Sequence, residues 1–340
     1  MQFENKSPSV VVIVLNWNGK NNTLECIDSL CHLNYANFRI VLVDNGSTDG
    51  TVDEVHLLFP NVITLQTGEN LGYAGGNNVG IVWALNNAFD YILLLNNDTI
   101  VDSELLTAFA HTARRLDRNN CVLGAKIYYF DRPKKIWFFG GRWKISISDF
   151  EHIGIEQDDG PDFASEIQCD YITGCALFAS SNIFRSVGLL DENFFLYYEE
   201  ADWCYRAKAQ GSTCFVNPNA KLWHKVSSSF GGSNSPLITY FASRNRLLWV
   251  SKHCSRVVRR KIERDAWLQA FRTVAHKFYW PDKKLPFFRG FAWSMSSWFR
   301  GSIRRFRQPE SIALLYGLRD YYLKRFGNCP TRVRELKQLT

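Results

Sequence analysis

Apolar positions in the first 116 residues alternate between two periods. Ser9–Leu15 is an unbroken, mostly β-branched run, and Arg39–Val43, Val62–Thr67 and Tyr91–Leu95 repeat it in shorter form. Runs of this kind predict strands buried on both faces. Between them the spacing lengthens to that of helices. Leu24, Ile27 and Cys31 form a helical stripe behind Asn22-Thr-Leu-Glu25, which reads as a capping box, and Thr51-Val-Asp-Glu54 caps a second helix. Gly75–Asn87 and Asp102–Leu116 supply two more. Strands alternating with helices of this length predict βαβ units and an α/β fold with a mainly parallel central sheet.

After about residue 120 the rhythm shortens. Val122–Phe130, Lys135–Phe139 and Arg142–Ile147 read as strands, with Gly140-Gly141 as a turn, while Ser148–Ser165 is acidic and polar and reads as a surface loop. Tyr171–Ala179 is a further strand, and Ser181–Val187 and Glu199–Gln210 are helices. From about Thr239 the chain is helical, aromatic and basic. The net charge of +7 conceals this division. Residues 1–245 hold 18 Lys+Arg against 27 Asp+Glu, and residues 246–340 hold 22 against 6. Two regions are therefore expected, 1–245 and 246–340, facing different partners.

The 340 residues are 46% hydrophobic and 21% charged, as in a folded globular protein. Nine cysteines without a CxxC pair argue against a zinc knuckle or redox dithiol and for reduced, buried thiols in a cytoplasmic protein. Residues 1–8 lack the basic and apolar regions of a signal peptide, and no run reaches the ~18 apolar residues of a spanning helix. The expectation is a soluble protein, or one that rests on a membrane surface.

In an open α/β sheet, ligands bind past the carboxyl ends of the strands. There the chain carries Asn16-Trp-Asn-Gly19, Asp44-Asn-Gly-Ser-Thr-Asp-Gly50 and Asn96-Asn-Asp98. Any one would pass as an ordinary turn; three on one edge predict a site. Glu69-Asn-Leu-Gly-Tyr-Ala-Gly-Gly-Asn-Asn78 adds glycines before a helix, whose free N–H groups would attract a phosphate. It matches neither GxGxxG nor GxxxxGK[ST], which disfavours a nicotinamide cofactor or a P-loop. The oxygen donors of Asn96, Asn97 and Asp98 suit Mg²⁺ or Mn²⁺. Asp202 and Arg206 stand four apart on one helix face with Glu199, an ion-pair spacing, whereas Glu200 points elsewhere, as a general base must. Leu222-Trp-His224 could complete a metal shell.

Together these segments resemble the family 2 glycosyltransferases of GT-A fold, in particular their rhamnosyltransferase-like branch. The resemblance runs over about residues 9–250. It rests on Val43-Asp-Asn-Gly-Ser-Thr-Asp-Gly-Thr51, Asn70-Leu-Gly-Tyr-Ala-Gly-Gly-Asn-Asn78, Leu94-Leu-Asn-Asn-Asp-Thr99, Gly174-Cys-Ala-Leu-Phe178, Tyr198-Glu-Glu-Ala-Asp-Trp203 and Trp223-His224, in that order. It implies that Asp44 binds the nucleobase beside Leu15 and Asn16, that Asn70, Gly76, Asn77 and Asn97 line the donor pocket, and that Asp98 and His224 hold a divalent metal. Glu200 takes the place of the catalytic base, where Asp is more usual, and Asn96 stands where the metal motif often has Asp. The implied reaction is an inverting, non-processive transfer from a dTDP- or UDP-sugar, rhamnose foremost, to a hydroxyl of a glycan or polyprenyl-linked glycan in surface polysaccharide synthesis. Ser243-Arg-Asn-Arg-Leu-Leu-Trp249 only superficially suggests the QxxRW motif of processive synthases. Its Arg244, with Glu199 and Asp202, is an acceptor-side or structural candidate. A nucleotidyltransferase and a catalytically silent nucleotide- or sugar-binding protein remain as alternatives.

Residues 256–307 interleave Arg259-Arg-Lys261, Lys283-Lys284 and Arg304-Arg305 with Trp280, Phe287, Phe288, Phe291, Trp293, Trp298 and Phe299. This pattern fits either an anionic membrane surface, at the cytoplasmic face of the plasma membrane, or a helical cap on the catalytic domain. Nucleic acid is disfavoured because no binding module accompanies the charge.

Overall fold

The computed structural model describes residues 7–116, 120–144, 146, 149–226, 235–275 and 287–336. They fall into two compact units, Met1–Ser229 and Phe230–Thr340. The boundary expected at 245/246 instead falls within a helix, Pro236–His253, whose proline occupies the first turn, where a missing N–H costs nothing.

The first unit opens with β1 (Val10–Asn16), α1 (Lys20–Cys31), β2 (Phe38–Asp44), α2 (Thr51–Leu58), β3 (Ile63–Gln66), α3 (Gly72–Asn86) and β4 (Tyr91–Asn96). These four strands are parallel, in the order β3-β2-β1-β4. Val10 to Val14 have no exposed surface, because β1 is paired on both edges and covered on both faces. The parallel register sets Asn16 opposite Asp44, Asp44 opposite Gln66 and Leu15 opposite Asn96. The polar strand ends therefore form one level edge.

Next come β5 (Thr99–Val101), α4 (Leu105–Leu116), β6 (Cys121–Tyr129), β7 (Ile136–Phe138), β8 (Gly141–Lys144), β9 (Asp149–His152), β10 (Ile167–Cys169), β11 (Ala176–Ser180), α5 (Ser181–Val187), α6 (Glu199–Ala209) and β12 (Thr213–His224). β11 enters antiparallel between β4 and β6, and β12 continues the sheet parallel to β6. The end of β12 doubles back against β5 and pairs His224 with Thr99. The second unit is helical: α7 (Pro236–His253), α8 (Arg256–Val274), α9 (Phe287–Phe306), α10 (Pro309–Tyr322) and α11 (Thr331–Glu335). A Cβ at Gly317 would lie 2.2 Å from Ser243 Oγ and 2.8 Å from the Tyr240 carbonyl, so only glycine permits the close approach of α10 to α7.

Several local expectations shift. α1 begins at Lys20, before the expected capping box, with Gly19 as cap. The N–H groups at its start are met by side chains outside the helix instead: that of the cap Gly19 by Asn16 Oδ1 at 3.1 Å, and that of Lys20 by Asp49 Oδ2 at 3.0 Å. Asp49 likewise caps α2 through the Thr51 N–H. The expected loop 148–165 contains β9, hydrogen-bonded to β8, and the strand expected from Tyr171 begins only at Ala176. Residues 171–175 serve the site instead.

Candidate active site

Two walls meet at the level strand edge. The first is a closed polar network. Asn16, fully buried, donates through Nδ2 to Asp44 Oδ1 and Ser47 Oγ, both at 3.0 Å. Its Oδ1 accepts from Gly19 N–H, Thr23 Oγ1 and Asn97 Nδ2. Asp44 Oδ2 accepts the Ser47 N–H at 3.1 Å. Asn45 pins the next loop. Its Nδ2 donates to Asn70 Oδ1 and the Gly72 carbonyl, and its Oδ1 accepts the Leu71 N–H. Asn97 points into this network and binds Thr23 Oγ1 at 2.9 Å. Gly76 faces the core; a Cβ there would lie 2.5 Å from Leu15 Cδ1. Asn77 is buried, bonded through Nδ2 to the Tyr73 carbonyl, with its Oδ1 lacking a partner.

The start of α3 is not free for a phosphate. The Phe195 carbonyl takes the Tyr73 N–H at 2.6 Å and the Ala74 N–H at 3.3 Å. Gly72 makes this possible at φ +75°, for a Cβ would sit 2.4 Å from that carbonyl oxygen.

The second wall is strained and incompletely satisfied. Phe195, Tyr197 and Tyr198 all adopt positive φ, between +65° and +77°, a left-handed conformation that costs about 1 kcal/mol or more per non-glycine residue. They lead into α6, which presents Glu199 and Glu200 in its first turn. Oε2 of each glutamate is buried without a hydrogen-bond partner. Burial raises both carboxyls, Glu199 furthest, since the Glu200 charge acts on it next. Backbone N–H groups of Glu200 itself, Gly174 and Ala201 favour the charged form of Glu200 in opposition to that burial. Two carboxyls this close in a buried site hold a proton between them more readily than either would alone, and Glu200 is the one with backbone N–H groups turned toward its charged form.

Asp98 and His224 complete the second wall. Asp98 Oδ1 lies 3.1 Å from His224 Nε2, and each residue is 7% exposed. Trp137 of β7 sits edge-on to the His224 ring with centroids 4.5 Å apart. His224 Nδ1 is buried and unpartnered. Two ligands of a small octahedral cation, each about 2.1 Å from it, stand about 3.0 Å apart, so the pair has the spacing and the N/O chemistry of adjacent metal ligands. Among the described residues no third His, Cys, Asp or Glu joins them. The phenol of Tyr197 is pushed up to about 12 by burial, then by Glu199, Glu200 and Asp98, and so records all three carboxyls in one neighbourhood.

Asp202 is fully buried and paired with Arg206 at 2.8 Å, while Arg206 also holds the Val187 and Leu189 carbonyls; this is a structural pair. Arg244 lies in the second unit, buried, donating to Asn245, Tyr240 and the Gly327 carbonyl. Sequence reading passed over Asn45, Thr23, Tyr73, Trp137 and Tyr197. The first lay beside Asp44 in a quoted motif; nothing local marks Trp137, which reaches His224 only through sheet pairing.

Comparison with known proteins follows the same lines. Residues 9–177 match the family model described as Glycosyl transferase family 2. A dTDP-rhamnosyl transferase, RfbF, of Shigella flexneri is 23% identical over 259 residues, 72% of this chain and 81% of that protein. An N-acetylglucosaminyl-diphospho-decaprenol L-rhamnosyltransferase of Mycobacterium tuberculosis is 26% identical over 220 residues, 56% of this chain and 68% of that one. Among solved structures, the mannosyltransferase PcManGT from Pyrobaculum calidifontis, in complex with GDP-Man and Mn²⁺, superposes with a TM-score of 0.54 at 12% identity, covering 94% of this chain and 89% of that one. GalNAc-T7 with UDP, GalNAc and Mn²⁺ gives 0.60 at 15% identity, covering 86% of this chain and 57% of the other.

Proposed function

We propose that this chain, which matches the family 2 glycosyltransferase model over residues 9–177, transfers one sugar per encounter, with inversion, from a nucleotide-sugar donor to a hydroxyl of a glycan or polyprenyl-linked glycan. The observation that carries the reading is a buried glutamate, Glu200, with an unpartnered carboxylate oxygen in the same neighbourhood as the Asp98–His224 pair.

Glu200 accepts the proton of the acceptor hydroxyl as its oxygen bonds to the anomeric carbon, and the bond from that carbon to the donor's diphosphate breaks. The electron pair leaves with the nucleoside diphosphate, and attack opposite to it inverts the centre. Asp98 and His224 would hold Mg²⁺ or Mn²⁺, which supplies positive charge to the departing diphosphate. Asp44, held in place by Asn16, binds the nucleobase, and the loop from Asn70 to Asn77 shapes the sugar side. The relatives named for rhamnosyl transfer support rhamnose as the sugar and dTDP as its carrier, with UDP-sugars next. Product belongs to surface polysaccharide synthesis on the cytoplasmic side. A thermal-shift panel of nucleoside diphosphates with and without Mn²⁺ tests the donor half of the reading. The largest stabilisation is expected with dTDP plus Mn²⁺; a response indifferent to nucleobase and metal alike would overturn it.

A further inference from the structure

From the second unit we infer that α9 is a membrane-docking helix that lies in the surface of an anionic bilayer. Phe291, Met295, Phe299, Ile303 and Phe306 are exposed by 47, 42, 60, 38 and 51%. At about 100° per residue they share one arc of roughly 120° along the helix. Arg300 and Arg304, both exposed, lie on the next arc, and exposed Arg307 follows directly after the helix. The docked side takes up part of the remaining arc: Ser294 is fully buried, and Arg305 Nη1 donates to the Ala275 carbonyl at the end of α8. The helix thus has a packed sector, an apolar sector open to solvent and a cationic margin.

A helix that only capped other elements would turn its aromatic residues inward. Here the large apolar side chains face out and the contact with the rest of the unit is made elsewhere. A continuous stripe of this kind is not the scattered exposure normal for a surface. α8 repeats the composition, with Val257, Leu268 and Phe271 exposed by 80, 45 and 65% on the same side as Lys261 and Arg264. No described helix is long and apolar enough to cross a membrane. An amphipathic helix with a cationic margin instead rests with its apolar face among acyl chains and its arginines at the phosphates. The occupant's charge follows from the excess of 22 basic over 6 acidic residues in 246–340. Lys283, Lys284, Trp280 and the side chains of Phe287, Phe288 and Trp293, which the sequence pattern also nominates, lie outside the described residues.

The experiment is vesicle flotation of the full chain, using phosphatidylcholine alone and phosphatidylcholine with about one-third phosphatidylglycerol. Binding to the mixed vesicles is expected to be at least about tenfold tighter and to weaken with salt. The double variant Phe291→Ser/Phe299→Ser should lose about tenfold or more of that binding, and Arg300→Gln/Arg304→Gln should lose mainly the preference for anionic lipid. All four positions are exposed, so thermal unfolding and transfer to a soluble acceptor should match the parent protein. Absence of flotation, flotation unchanged in the variants, or sedimentation showing a dimer that Phe299→Ser dissociates while flotation persists would each overturn the proposal. Because transfer is read separately, loss of activity with intact flotation would count against the catalytic reading and leave this one standing.

Discussion

The two walls of the site are built on opposite terms. Around Asn16, Asp44 and Asn45 the polar atoms engage one another, through four asparagines, Thr23, Ser47 and a string of backbone groups. Around Glu199, Glu200 and His224, buried atoms lack partners, backbone angles are forced and carboxyls are raised from their ordinary range. The difference separates what must be rigid from what must react. A satisfied network in low dielectric fixes the shape into which a nucleotide fits. A buried acid with an empty lone pair is costly in the resting protein and useful only when a proton arrives.

Variants can break the contrast from either side. The largest effect is expected from Glu200→Gln. Transfer should fall about 10²–10⁴-fold while nucleotide affinity, measured by calorimetry, stays unchanged; undiminished turnover would sink the assignment of the base. In the parent protein the base works ionised, so kcat/KM should be lost as pH falls through its raised value, at a pH above the normal carboxylate range. Asp98→Ala is next. It should abolish the Mn²⁺ dependence of nucleotide binding and weaken affinity by about 10–100-fold, whereas Glu200→Gln should leave both intact.

On the satisfied wall the same kind of truncation should act on folding. Asn45→Ala leaves the Leu71 N–H and Gly72 carbonyl without their partner, and urea unfolding should register a loss of about 2–4 kcal/mol. A loss of activity without loss of stability there would erase the distinction between the walls. The smallest effect sharpens it. A carboxyl raised by folding holds its proton more tightly in the folded chain, so the stability tied to it is present at low pH and lost as pH rises through the raised value. Glu199→Gln should therefore be more stable than the parent at about pH 8 and indistinguishable near pH 4, which paired unfolding curves will test.

Much of the satisfied wall could be read from the chain because it is local. Buried β-branched runs end in Asn16, Asp44 and Asn96, and parallel pairing needs no more than that to bring them level. Those local signals also misled. The start of α3 looked ready for phosphate but is closed by Phe195, and the Nδ2 of Asn97 turns to Asn16 and Thr23. The reacting wall depends on contacts across 100 residues or more, such as Tyr73 with Gly174 and His224 with Asp98. Periodicity carries no trace of these. Glu200 stood out from Glu199 by helix angle, but the Gly174 N–H that favours its charged form comes from a residue just before β11, far away in sequence. The family match favours sugar transfer over the nucleotidyltransferase reading.

The segment from Phe195 to Tyr198 works as a caliper. Its first carbonyl closes the start of α3, which follows the Asn70 loop, and its last residue sits in the left-handed position that opens α6, which carries the base. Four residues thus set the gap between sugar-side loop and proton acceptor, whatever the lengths of the two helices. Drift elsewhere in the domain can be absorbed by loops without altering that gap. A single residue inserted between Phe195 and Tyr198 would reset the gauge itself.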